Sequence, residues 1–432
     1  MKRVGLRLRL FAAALAMLAA GFTSRPLRAE EPAPPIAITH GKVYLPGGRP
    51  PIDDGTVVIQ RGKIVAVGKD VVAPPGARTL DAHGKIVTPG FIDAVTAVGV
   101  MDIDEEPASN DTDVRGHMTP ALRMVDGYNA RSSMIPIVRA SGITTVVVSP
   151  DHGILGGQSA LADLASDEES EAIVRPVLAQ NAFLDEGEAE WSTGTRGAMW
   201  LMLREALDDA RFYGTHRAQY DSNASRPLSL SRAGLEALQP VVKGEQILVV
   251  EAHRASDIEA ALRLADELKL KIVLSGASEA WMVADELARR KTPVIVDPLE
   301  NLPARFDRLH ARSDNAAILS RAGVPVIIAT YAAHQSRLLW QHAGNAVRTG
   351  MDHDEAIRAV TETPAAAFGL KGYGRLEPGA VANVVVWSGD PLQIGSRPEH
   401  VIVHGREQSL ETRQSLLLDR YRTLPVPRDG SR

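Results

Sequence analysis

The sequence predicts an α/β fold: a parallel sheet of barrel size wrapped by helices, joined to a smaller β domain. Three observations predict it. The chain has 432 residues, too long for one simple domain and suited to a barrel of ~250 residues plus a smaller unit. Its middle alternates apolar runs of strand length with amphipathic helical patterns, the signature of a parallel sheet covered by helices. Its two flanks carry strand patterns without helices between them.

In chain order, residues 1–29 read as a secretory signal peptide. Lys2, Arg3, Arg7 and Arg9 form a basic start, residues 10–20 an apolar run, and Leu27-Arg28-Ala29 a cleavage site before Glu30. The run is too short to span a bilayer comfortably. The expected location is therefore periplasmic or secreted, with no stable membrane span. Residues 30–35 form a Pro/Glu-rich linker. Short β patterns follow at 37–43, 56–59, 64–67 and 79–80, with Gln60-Arg61-Gly62-Lys63 as a hairpin turn. The apolar run 86–92 is taken as the first barrel strand.

Further strand-length runs lie at 144–148, 173–178, 247–250, 272–274, 294–296 and 326–328, which makes seven strands. The eighth is not evident; the polar stretch 179–231 is expected to hide it or to be an insertion. The clearest helix is 257–268, with Ile258, Leu262 and Ala265 at helical spacing. After Phe368 the pattern returns to strands at 374–379, 384–387 and 401–403. The expected organisation is a β domain from 36–88 plus 373–407, a barrel over 89–372, and a loosely ordered tail over 408–432.

Composition excludes several classes. With 44% hydrophobic and 23% charged residues the chain is an ordinary globular protein. Without residues 1–29 it carries 42 Lys+Arg against 53 Asp+Glu, a net charge of −11, and it has no basic run. Nucleic acid is therefore not an expected partner. Cysteine is absent, so stability must come from the core rather than from disulfides.

The segment Pro89-Gly90-Phe91-Ile92-Asp93-Ala94-Val95-Thr96-Ala97 carries the most information. It resembles the first barrel strand of the amidohydrolase superfamily, nearest the imidazolonepropionase-like branch, where two histidines hold a catalytic metal. Four more stretches are similar to that family in the same order: 140–146, 153–160, 252–258 and 376–392. The resemblance spans roughly residues 36–405. It implies a TIM-like (β/α)8 barrel with a small composite β-sandwich built from both chain ends. It also implies metal-assisted hydrolysis of amides or lactams, in which a metal lowers the pKa of bound water to ~7.

The positions matching the family's ligands are Val95, Ala97, Glu251, Gly276 and Tyr331. Val95 and Ala97 have no lone pair for a metal. Glu251 alone is a donor, and one carboxylate does not make a site. Tyr331 is a poor base near neutrality, its reference pKa being ~10. No metal centre and no cofactor are therefore expected.

Asp93, His152, Glu251, His253, Tyr331 and His334 remain as a candidate pocket. Glu251 and His253, at i and i+2 on a strand, share one face. Gly153–159 lacks the Lys-Ser/Thr of a phosphate loop, the acidic run 102–106 reads as a solvated loop, and no Gly-x-Ser-x-Gly elbow supports a serine hydrolase. The leading expectation is a non-catalytic homologue that binds a small ligand or pairs with an active amidohydrolase subunit, as a homo- or hetero-oligomer. The alternative is an active hydrolase of carbon–nitrogen bonds with a substitute site, which would bring zinc or another divalent metal.

Overall fold

The computed structural model describes residues 34–104, 106–112 and 116–423. The signal-peptide segment 1–29, most of the 30–35 linker, Glu105 of the acidic run and the end of the tail lie outside them. Among the described residues, no helix is long and apolar enough to cross a membrane.

Two eight-stranded sheets make up the fold. The first draws strands from both ends of the chain: β1 (Ile36–Val43), β2 (Ile52–Gln60), β3 (Lys63–Gly68), β4 (Arg78–Asp81), β5 (Ile86–Pro89), β14 (Val384–Trp387), β15 (Pro398–Val403) and β16 (Arg406–Gln408). The β2–β3 hairpin turns at Arg61 and Gly62, both with positive φ (51° and 73°), the two-residue geometry that matches strand twist. The C-terminal strands join through β14, which pairs antiparallel with β5, Val384 opposite Pro89. Ile38, Val57, Ile64, Val87, Val384 and Ile402 meet in one buried core.

The second sheet comprises β6 (Phe91–Thr96), β7 (Ile143–Val148), β8 (Gly157–Asp163), β9 (Ile173–Phe183), β10 (Ile247–Ala252), β11 (Lys271–Gly276), β12 (Val294–Val296) and β13 (Val326–Ile328), neighbours in that order. Each strand sends at least one residue to a shared interior, among them Ile92, Val147, Leu161, Ala179, Val249, Val273, Ile295 and Ile327. The first and last strands meet where Tyr331 N donates to Val95 O at 3.0 Å, so the sheet is a nearly closed, TIM-like barrel.

Three features differ from the sequence reading. The run 86–92 is two strands in two sheets, because the chain leaves the first sheet at Gly90. A β-carbon there would stand 2.1 Å from Thr144 Oγ1, so only glycine passes. The eighth strand is β8, not part of 179–231. It is antiparallel to both β7 and β9, whereas the expected barrel is parallel throughout. Its polar Gln158, Ser159 and Asp163 suggest a loop, yet all three are buried. The 179–231 stretch instead holds the end of β9 and the helix Arg196–Thr215.

Residues 374–379 form turns rather than a strand, with Gly379 N donating to Ile64 O at 2.8 Å. The 257–268 pattern forms the helix Ala255–Leu268, which buries Ile258, Leu262 and Ala265. The tail contains a helix, Arg413–Tyr421, that starts at a Thr412–Ser415 capping box and buries no residue.

Candidate functional site

The strands of a barrel end on one face, and side chains just past those ends converge. Here Thr96, Glu251, Gly276, Asp297 and Tyr331 stand at the ends of β6, β10, β11, β12 and β13 and line a cavity of about 480 Å3. Val249 faces the barrel interior. Glu251, two residues on, keeps that face and reaches the cavity floor.

His253 is buried in the cavity wall, only 2% exposed. Its Nδ1 lies 2.8 Å from Ser278 Oγ, and its Nε2 accepts from Arg308 Nη2 at 2.9 Å. A guanidinium only donates, so Nε2 is the unprotonated nitrogen and Nδ1–H donates to Ser278. This tautomer is assigned from the network. Glu251 Oε1 lies 3.3 Å from the same Nε2. Arg308 is itself buried and held by three partners: His253, Asp307 Oδ1 at 3.3 Å from Nε, and Glu300 on Nη1. The Arg308 segment is laced to the loop after β9 by a reciprocal pair, Glu186 N to Asp307 Oδ2 (2.8 Å) and Asp307 N to Glu186 Oε2 (2.9 Å).

Asp185, on that loop, completes a donor cluster. One ligand atom each from Asp185, Glu251 and His253 lie within 4.8 Å of one another, an arrangement that could hold a cation. Burial, then the neighbouring Glu251 charge, pushes the Asp185 carboxyl above the usual carboxylate range. Tyr331 sits at φ 55°. Its Oη accepts from Gly276 N at 2.8 Å, lies 2.9 Å from Ser275 Oγ and donates to Ile295 O at 3.2 Å. Burial and the Glu251 charge hold its phenol well above the ordinary value, so it stays neutral and is no base.

Of the sequence-predicted residues, Val95, Ala97, Glu251, His253, Gly276 and Tyr331 share this cavity. Asp93 does not line it. It is fully buried behind the wall, accepting from Thr330 N (3.1 Å), Thr330 Oγ1 (2.5 Å) and Ser336 Oγ (2.7 Å). His152 lies in an adjoining groove with its Nδ1 2.5 Å from Asp151 Oδ1. His334 is on the rim, its Nδ1 3.2 Å from Asp104 Oδ1. The groove shares Asp151, Phe183, Asp185 and Arg305 with the cavity and carries Trp191, 82% exposed. Sequence reasoning missed Asp185, Arg305 and Arg308. Asp185 carries a usable signal, an acid just past a strand end. The arginines lie in a long loop with none.

A metal centre on the five positions that the resemblance matches to the family's ligands does not fit these residues. Val95 and Ala97 offer no donor. A β-carbon at Gly276 would stand 2.5 Å from His253 Cε1, so the space for a side chain there is taken. The Tyr331 oxygen is committed to backbone and to Ser275.

The comparisons with known proteins agree with the fold. A model described as "Amidohydrolase family" matches residues 236–407. The chain is 22% identical over 392 residues to Amidohydrolase tasK of Hapsidospora irregularis, covering 82% of this chain and only 40% of that protein. It is 26% identical to the imidazolonepropionase of Paracoccus denitrificans, covering 84% of this chain and 96% of the relative. Among solved structures, an amidohydrolase from Thermotoga maritima superposes with a TM-score of 0.79 at 26% identity, covering 87% of this chain and 99% of the other.

Proposed function

We propose, for a chain that belongs to the amidohydrolase superfamily and is imidazolonepropionase-like, that the barrel mouth is a metal-independent binding site for a small, polar, amide-bearing molecule. One observation carries the reading: the nitrogen of His253 that faces Glu251 already accepts from the Arg308 guanidinium at 2.9 Å. A divalent cation on that nitrogen would have to displace a buried, fixed positive charge. Metal-free, the cavity offers acceptors at Asp185 and Glu251 and a donor at Arg305. That set suits the N–H and C=O groups of an amide, with the apolar wall of Val95, Ala97 and Phe183 beside them.

The test uses purified protein and a panel of acyl-dipeptides and cyclic amides. Binding should raise the thermal midpoint, Glu251→Gln should weaken that shift, and zinc, iron and manganese should be sub-stoichiometric. A stoichiometric metal, or turnover that a chelator abolishes, overturns the reading. Export and association with an active amidohydrolase subunit or a second copy belong to the same proposal. Sedimentation of the protein alone and with a candidate subunit tests the association.

A second reading is favoured by the proximity of Asp185, Glu251 and His253: hydrolysis of carbon–nitrogen bonds through this substitute cluster. Sustained turnover of the same panel, lost in His253→Gln, would select it.

A further inference from the structure

We infer that Arg308 stands in for a metal ion: its guanidinium occupies the His253 Nε2 lone pair, and it thereby blocks a divalent-cation site made by Asp185, Glu251 and His253. The inference rests on the metal-independent reading above and goes beyond it, because these are not the five family positions. Asp185 and His253 lie outside that set.

The geometry has three parts. First, the three donors come from two segments, Asp185 from the loop after β9 and Glu251 and His253 from the end of β10, yet their ligand atoms lie within 4.8 Å. Two carboxylates and an imidazole are a sufficient protein ligand set for zinc, which commonly takes three protein ligands. Second, the shared space is not neutral. Two carboxylates facing each other out of bulk water repel, and a cation between or beside them relieves the repulsion. Third, the cations present are side chains: Arg305 Nη1 lies 3.8 Å from Asp185 Oδ2. Arg308 Nη2 donates to His253 Nε2 at 2.9 Å, the lone pair a metal would need, and Glu251 Oε1 lies 3.3 Å from that nitrogen. Arg308 does not sit there by accident of surface packing. It is 8% exposed, and Asp307 on its Nε is 1% exposed. Asp307 is in turn fixed by the Glu186 amide at 2.8 Å.

A guanidinium cannot be deprotonated in a protein, so this charge is permanent. It cannot be lost to a chelator, which distinguishes it from the ion it replaces. Arg308 is a positioning residue: it fixes the His253 tautomer without needing to touch a ligand.

The experiment measures zinc content and cobalt(II) absorption on the full-length purified protein, Arg308→Met and the double variant Arg308→Met/His253→Gln. Wild type is expected to take up no stoichiometric zinc. Folded Arg308→Met should bind zinc tighter by roughly 10- to 100-fold, with cobalt showing a nitrogen-ligated spectrum that the double variant loses. If wild type holds stoichiometric zinc, both this inference and the metal-independent reading fall. If neither wild type nor folded Arg308→Met binds, this inference alone falls. Should Arg308→Met not fold, histidine nitrogen NMR on wild type decides. An unprotonated His253 Nε2 that added zinc leaves unmoved supports the blockade, and a protonated or zinc-shifted Nε2 overturns it.

Discussion

The His253 imidazole lies across Gly276 so closely that a β-carbon there would stand 2.5 Å from Cε1 and 2.8 Å from Nε2. Gly276 also sits at φ 74°, a conformation that side chains disfavour. Gly276→Ala should therefore destabilise the protein by roughly 1–3 kcal/mol, read by urea unfolding. His253→Ala in the same chain should recover part of that loss, because the clash goes and the strain stays. Gly276→His, alone or with histidines at 95, 97 and 251 and Asp at 331, should fail to bring a metal centre. An Ala variant as stable as wild type would refute the packing argument.

Burial pushes the Asp93 carboxyl up to about 6, against the hydrogen bonds from Thr330 and Ser336. The native state then binds more protons at this site than the unfolded chain between pH ~4 and ~6. Its contribution to stability is full below the ordinary carboxylate range and is lost as pH rises through about 6. At ~1.4 kcal/mol per unit, the change is about 3 kcal/mol. Other carboxylates titrate in the same window, so the comparison is with Asp93→Asn. Wild type minus variant, measured by urea unfolding at pH 4.5 and 7, should fall by roughly 2 kcal/mol, the part of that change that lies in this window. An unchanged difference would show that Asp93 is ionised throughout.

Most strands of both sheets were legible because their residues are uniformly apolar or alternate cleanly. Residues 144–148 and 326–328 needed no context. β8 was not legible, since Gln158, Ser159 and Asp163 are polar and yet buried. Their partners, such as the Ala179 carbonyl for Ser159 and the Tyr373 hydroxyl for Asp163, lie 20 and 210 residues along the chain, and no local pattern encodes them. The same holds for the site. Glu251 and His253 follow from strand periodicity, whereas Asp185 was missed because β9 runs on to Phe183 through residues that read as a polar stretch. Arg308 reaches His253 across 55 residues through a loop whose path only tertiary structure fixes. The split at Gly90 is a steric fact about Thr144, invisible in the run 86–92 itself.

The basic, apolar and small-residue order of residues 1–29 predicts export, with the mature chain starting near Glu30. N-terminal sequencing of the protein from a periplasmic fraction checks it. A full-length cytoplasmic chain would end the export proposal and leave the site arguments untouched.

Asp163 shows how the antiparallel strand is tied in place. Its carboxylate is fully buried and accepts from Thr145 Oγ1 at 2.6 Å and Tyr373 Oη at 2.8 Å, with His404 Nε2 as a further close partner. Tyr373 and His404 come from the C-terminal segment, and Thr145 from β7. One side chain therefore joins β7 and β8 to the part of the chain that completes the first sheet. Asp163→Ala would leave the Thr145 and Tyr373 hydroxyls buried without their acceptor, a loss of roughly 3 kcal/mol. Asp163→Asn keeps one acceptor oxygen and should lose less. The Tyr373→Phe single variant removes one of those orphaned hydroxyls, so Asp163→Ala/Tyr373→Phe should be less destabilised than the sum of its parts. Additive losses in that cycle would mean that the two groups do not depend on each other, and that β8 is held by its ladder hydrogen bonds alone.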